Sequence, residues 1–248
     1  MTPDKKLVFL AADTPRSNAY AQALSNARIN VSAVALVSPQ VQRWGQACSI
    51  VQNNAKPIDY FVPDLTLPLV DVCSSISQHV KIFRVSSIND PLIVTWLKDQ
   101  AADLVVFSGF GGELVTRHVL EAGAPLLHMH AGWLPDYRGS TTIYYSLLRE
   151  NNVGVSAIIL TESIDKGPVL ARKKYRVPPA NMDIDYYYDS IVRADLLVTV
   201  LGDYIKTGCF VDVFDQSIYE GNTYYIIHPL LKHLVLNEIV RGAKSDCQ

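Results

Sequence analysis

Cysteine is scarce and scattered. The four residues of the 248-residue chain, Cys48, Cys73, Cys209 and Cys247, show no C-x-x-C spacing. That argues against a zinc knot and fits free thiols in a reducing cytoplasm, the expected location. Long apolar runs are missing too: none approaches the roughly 20 residues that cross a bilayer. No membrane partner is therefore expected. The opening MTPDKKLVFLAAD has only a short apolar run that enters polar sequence, so it reads as a first strand and not as a signal peptide. An excess of positive charge is absent, with 22 Lys and Arg against 24 Asp and Glu, a net charge of -2 and a pI near 6.3. A dedicated nucleic-acid binder carries a basic field, so no nucleic-acid partner is expected. Internal repeats, low-complexity tracts and obvious linkers are also lacking. What remains is 49% hydrophobic and 19% charged, the composition of a globular chain with enough apolar residues for a real core.

The chain alternates between two kinds of segment. LVFLAAD (7–13), VSAVALVS (31–38), KIFRVSS (81–87), DLVVFSG (103–109), PLLHMHAG (125–132), VGVSAIILT (153–161) and ARKKYRV (171–177) read as strands. Helical spacing of apolar residues marks 17–27, a segment near 40–53, 90–100 with its Asp-Pro start, and 113–123 ending at Gly123. Such alternation predicts an α/β fold with a doubly wound, mostly parallel sheet. Ligands in such sheets sit at the carboxyl ends of strands. Composition shifts near residue 178, where two prolines precede a long helix that ends at Gly208. The chain therefore divides into a main α/β unit, 1–178, and an extension, 179–248, holding that helix, a β-hairpin around EGN and a final helix.

The segment LLHMHAGWLPDYRGSTTIYY (126–145) stands out. His128 and His130 are two apart on a predicted strand end, so they share a face, while Met129 points the other way. LPDYRG then turns the chain. Further on, TESIDKGPVL (161–170) places Asp165 in a Gly- and Pro-containing loop after the next strand, and adjacent strand ends can bring it to the histidines. One carboxylate near two imidazoles supports two chemistries: it orients a histidine base, or all three bind a metal.

In this combination the chain resembles the formyltransferase family that uses N10-formyltetrahydrofolate. Its members carry an Asn-x-His strand end, a Leu-Pro-x-x-Arg-Gly turn and a later Asp-x-Gly loop, and HMH, LPDYRG and IDKG stand in those places here. GFGGELVTRHVLEAG (109–123) resembles the family's wall of the folate pocket. The resemblance implies a Rossmann-like fold and transfer of a formyl group to a primary amine of a small molecule. STTIYYSLL and the tail YYIIHPLLKHL further resemble members associated with amino-sugar glycans, and the chain lacks the larger C-terminal domain expected of methionyl-tRNA enzymes. On this resemblance His130 is the general base and Asp165 sets its protonation. Phe110, Gly111, Gly112, Glu113, Leu114 and Ile164 hold the folate, with the pterin between their two loops. Trp133, Tyr137 and Arg138 are candidate substrate contacts, with core packing the rival role for the aromatics and a loop brace the rival for Arg138. The C-terminal region is the candidate surface for a homodimer.

One position departs from the pattern: His128 stands where the family has Asn. That Asn is thought to donate a hydrogen bond to the formyl oxygen, and losing one such donor costs about 10²–10³ in rate. An imidazole also donates, as the neutral tautomer or as the cation. A cation, which Asp165 would favour, would give a bell-shaped rate profile. Two other readings stay open: a metal-dependent hydrolase or lyase built on His128, His130 and Asp165, and a non-catalytic relative that binds folate or a sugar.

Overall fold

The structure is a computed structural model that describes residues 5–40 and 58–245; the helix expected near 40–53 falls outside them from residue 41 onward. A seven-stranded sheet in the order β3-β2-β1-β4-β5-β7-β8 forms the centre. β1 (Leu7–Ala12), β2 (Ala33–Val37), β3 (Val80–Phe83), β4 (Leu104–Ser108) and β5 (Leu126–His130) are mutually parallel. β7 (Val153–Ile159) runs antiparallel to β5, and β8 (Val169–Tyr175) antiparallel to β7. β1, β2 and β4 are buried along their whole length, which is why they read as unbroken apolar runs instead of alternating ones. The strand order reverses between β1 and β4, the place where such sheets open a crevice at their carboxyl edge.

Helix starts follow local chemistry. α1 (Pro15–Asn26) begins with Thr14 accepting from the Ser17 N–H and Pro15 in the first turn. α3 (Pro91–Gln100) uses Asp90 and Pro91 in the same way. α2 (Leu69–Ile76) lies in the stretch whose sequence is least regular. The helix expected over 113–123 shrinks to α4 (Arg117–Leu120). The cause is visible: Asn89 Nδ2 donates to Leu114 O and Asn89 Oδ1 accepts from Thr116 N, both at 2.8 Å. These bonds occupy backbone groups that a helix would have used.

The sheet carries an apolar cluster on each face. One is covered by α1, α2, α5 (Thr142–Glu150) and α6 (Asp189–Thr207), the other by α3 and α4. α6 follows a π-helical turn (Ile184–Tyr188) and ends at Gly208 as expected, with φ of 77°. Its Ile191, Leu197 and Leu201 are fully buried in the same cluster as β1 and β5. Each such side chain contributes about 1.5–3 kcal/mol.

The extension differs from the expected hairpin. β9 (Asn222–Tyr224) pairs in parallel with β6 (Tyr137–Gly139), a short strand formed by the turn after β5. Phe214 bridges Val169 of β8. Both pairings run back to earlier parts of the chain, β6 and β8. α7 (Pro229–Ser245) closes the described chain. Among the described residues no helix is long and apolar enough to cross a membrane.

Candidate active site

His128 and His130 lie at the carboxyl end of β5, on one face as their spacing demands. The His128 ring tilts against Phe107, 5.8 Å between centroids, while Met129 is buried in the opposite cluster. His130 is 4% exposed. Its Nε2 lies 2.7 Å from the backbone oxygen of Tyr137. A carbonyl can only accept, so Nε2 carries hydrogen, and Nδ1 is the atom that can exchange a proton. Nδ1 stands 3.5 Å from Asp165 Oδ1. Gly132 allows this: a Cβ there would be 2.5 Å from His130 Nε2 and 2.4 Å from Tyr137 O.

Asp165 arrives by a route the sequence did not suggest. Because β7 is antiparallel, its end at Ile159 lies beside Leu127, and Ser156 is the residue opposite His130. The following loop must double back over the sheet face to reach His130, so the strand ends are not adjacent as expected. Asp165 has a left-handed backbone, φ 52°, which Asp tolerates better than most residues. Its Oδ2 accepts from the Gly139 N–H at 2.7 Å, and its backbone oxygen accepts from Gln216 Nε2 at 2.8 Å.

Two guanidinium groups face His128. Arg193 of α6 donates to Met129 O at 2.5 Å and to Asp189 Oδ1 at 2.9 Å. Arg16 of α1 donates to Gly109 O at 2.7 Å. Burial first, then Arg193 and Arg16, hold the His128 pKa well below its ordinary 6.5. The imidazolium form considered from sequence is therefore disfavoured, and His128 is a neutral ring at neutral pH. Its Nδ1 is buried with no hydrogen-bond partner among the described residues. Neither arginine was singled out from sequence. The i,i+4 pair Asp189–Arg193 is legible there, but not the strand against which it packs.

Beside the two expected folate loops, the exposed Arg117 of α4 places its Nε 3.5 Å from Glu162 Oε1. Phe110 is buried, and nothing stands within 4 Å of a Cβ built on Gly111 or Gly112. Glu113 accepts from Ser87 Oγ. Leu114 and Ile164 are 64% and 48% exposed. Accessible backbone flanked by exposed apolar side chains suits a flat, partly apolar ligand.

The expected substrate contacts are placed differently. The Trp133 ring is covered by Arg172 and Lys174, with cation–ring distances of 4.6 and 5.3 Å. Tyr137 is buried, donates to Glu150 Oε1 at 2.7 Å and stacks on Tyr224. It serves the site through its backbone oxygen instead of its ring. Arg138 is buried and donates to Gln216 Oε1 from Nε and Nη2, at 3.2 and 3.0 Å. These bonds and its 5% exposure are those of a brace. Gln216 carries no signal in the sequence.

Residues 5–200 match the formyl transferase family. The chain belongs to that family. Methionyl-tRNA formyltransferase of Finegoldia magna is 30% identical over 171 residues, covering 67% of this chain and 52% of that protein. The chain spans about half the length of the curated relatives it matches. The fold is shared with a sugar N-formyltransferase from a Shewanella species, at a TM-score of 0.56 and 16% identity over 93% of this chain and 86% of that one. Phosphoribosylglycinamide formyltransferase from Anaplasma phagocytophilum aligns with a TM-score of 0.58 and 14% identity, over 90% of this chain and 100% of that chain.

Proposed function

We propose that the protein transfers a formyl group from N10-formyltetrahydrofolate to the primary amine of a small molecule, an amino sugar. The observation that carries the reading is the His128, His130 and Asp165 cluster, whose ligand-type atoms lie within 4.8 Å of one another, with His130 Nδ1 turned to Asp165. N10-formyltetrahydrofolate, held by Phe110 to Leu114 and Ile164, supplies the formyl group. His130 Nδ1 takes the proton from the attacking amine, and Asp165 stabilises the charge that the ring gains. The N10–formyl bond then breaks to release tetrahydrofolate, whose N10 takes up the proton. The neutral N–H of His128 donates to the formyl oxygen as negative charge grows there, and Arg16 and Arg193 favour that charge. The amino-sugar acceptor draws support from the fold shared with a sugar N-formyltransferase and from the net charge of -2, which offers a nucleic acid little attraction. A cytoplasmic location and a homodimer through the C-terminal region belong to the same reading; exposed Tyr225, Ile226, Leu230 and Leu234 favour the dimer.

The test is formyl transfer from N10-formyltetrahydrofolate to a panel of free and nucleotide-linked amino sugars, with glycinamide ribonucleotide and methionyl-tRNA as competing acceptors. Turnover with the last two alone would overturn the amino-sugar reading, and folate binding without transfer would leave the non-catalytic one. In the wild-type reaction His130→Ala should lower kcat by about 10²–10⁴ with an unchanged circular-dichroism spectrum. Turnover equal to wild type would remove His130 from the chemistry.

The convergence of the three side chains also keeps the metal reading testable. Tetrahedral zinc ligands lie about 3.4 Å apart. The two guanidinium groups beside His128 oppose a further cation.

A further inference from the structure

Residues 211–220 are almost all solvent-exposed, and Gln216 alone among them is buried, at 1% exposure. Its amide is fully committed. Nε2 donates to Asp165 O at 2.8 Å and to Gly167 O at 2.7 Å. Oε1 accepts from Nε and Nη2 of Arg138. Two donors and an acceptor at one point suit a carboxamide, and an apolar residue would serve if packing were the only task. Of these three partners, Asp165 belongs to the catalytic cluster and Arg138 adjoins it in sequence. Arg138 lies between Tyr137, whose oxygen holds His130, and Gly139, whose N–H holds Asp165. The segment that carries Gln216 is itself pinned. Phe214 and Val169 exchange backbone bonds at 2.8 and 2.9 Å, and a Cβ on Gly221 would stand 2.0 Å from Pro135 O.

We propose that Gln216 is a positioning residue of the reaction: it fixes the strained Asp165 loop so that the carboxylate meets His130, and the 214–224 segment is thereby a wall of the catalytic centre. This rests on the roles given to His130 and Asp165 above. A group displaced by about 1 Å costs on the order of 10²-fold in rate.

The experiment uses the full chain with Gln216→Met, Gln216→Glu and Asp165→Asn. The readouts are kcat and KM with the amino sugar that the panel identifies, tetrahydrofolate binding stoichiometry, and the imidazole ¹⁵N signals of His130. For both Gln216 variants we expect kcat about 10- to 100-fold lower, full folate stoichiometry, and His130 signals shifted in the direction that Asp165→Asn shifts them. Where the Met variant does not fold, the isosteric Glu variant, still paired with Arg138, carries the test. Wild-type kcat and unmoved His130 signals in a Gln216 variant, with both changed in Asp165→Asn, would overturn the inference alone. An Asp165→Asn variant like wild type in both would instead overturn the reading of the site beneath it.

Discussion

At position 128 an imidazole faces two guanidinium groups where the resembling family has an amide that cannot titrate. A histidine that stays neutral in this field can take over the role of that amide. His128→Asn is therefore expected to keep substantial activity, and the alkaline limb of kcat/KM against pH should be the same in both proteins. Loss of that limb in the mutant would reinstate an imidazolium at 128. The depressed pKa also bears on stability. In the unfolded chain the ring takes up a proton near its ordinary 6.5, whereas in the folded chain it does not. Below that pH the unfolded state binds more protons, so stability falls as pH drops. His128→Asn should flatten that fall, read as urea midpoints between about pH 7.5 and 5.5. Equal slopes would argue against a buried, neutral His128.

Among the elements, the loop before α4 shows how side chains overrule helical spacing. The apolar spacing of 113–123 is helical, yet Asn89 holds Leu114 and Thr116 out of a helix. Asn89→Ala should raise the KM for N10-formyltetrahydrofolate about 3- to 10-fold, or ~1 kcal/mol, and leave the amine KM unchanged. An equal rise in both would show that this loop does not belong to the folate site specifically. α6 behaves as its sequence suggests, long and capped by Gly208, but it lies against the sheet and α1 in the main apolar cluster. Leu197→Ala, at a fully buried position, should cost about 2–5 kcal/mol in urea unfolding. A loss under 1 kcal/mol would mean that the helix is only loosely applied.

On the scale of the whole molecule, the charges around the site bear on which of its two chemistries it supports. Arg16 and Arg193 create a field that welcomes a developing oxyanion and repels a divalent cation. Prolonged dialysis against EDTA should thus leave kcat within twofold of its starting value. Loss of activity restored by added zinc would establish the metal reading.

Much of the molecule is determined by local pattern. Strands buried on both faces must be apolar throughout, helix starts need Thr14 or Asp90 before proline, and residues two apart on β5 must share a face. The α/β order, the Gly208 helix end and the pairing of His128 with His130 were legible for those reasons. Only the tertiary structure decided the rest. Register alone shows that β7 is antiparallel and that the Asp165 loop doubles back, since a short apolar strand reads the same in either direction. The β6–β9 ladder, the Arg138–Gln216 brace and the charges on His128 join residues from about 65 to 112 positions apart. No local propensity encodes such contacts; they exist because the folded chain leaves free edges, buried donors and cations that have to be matched.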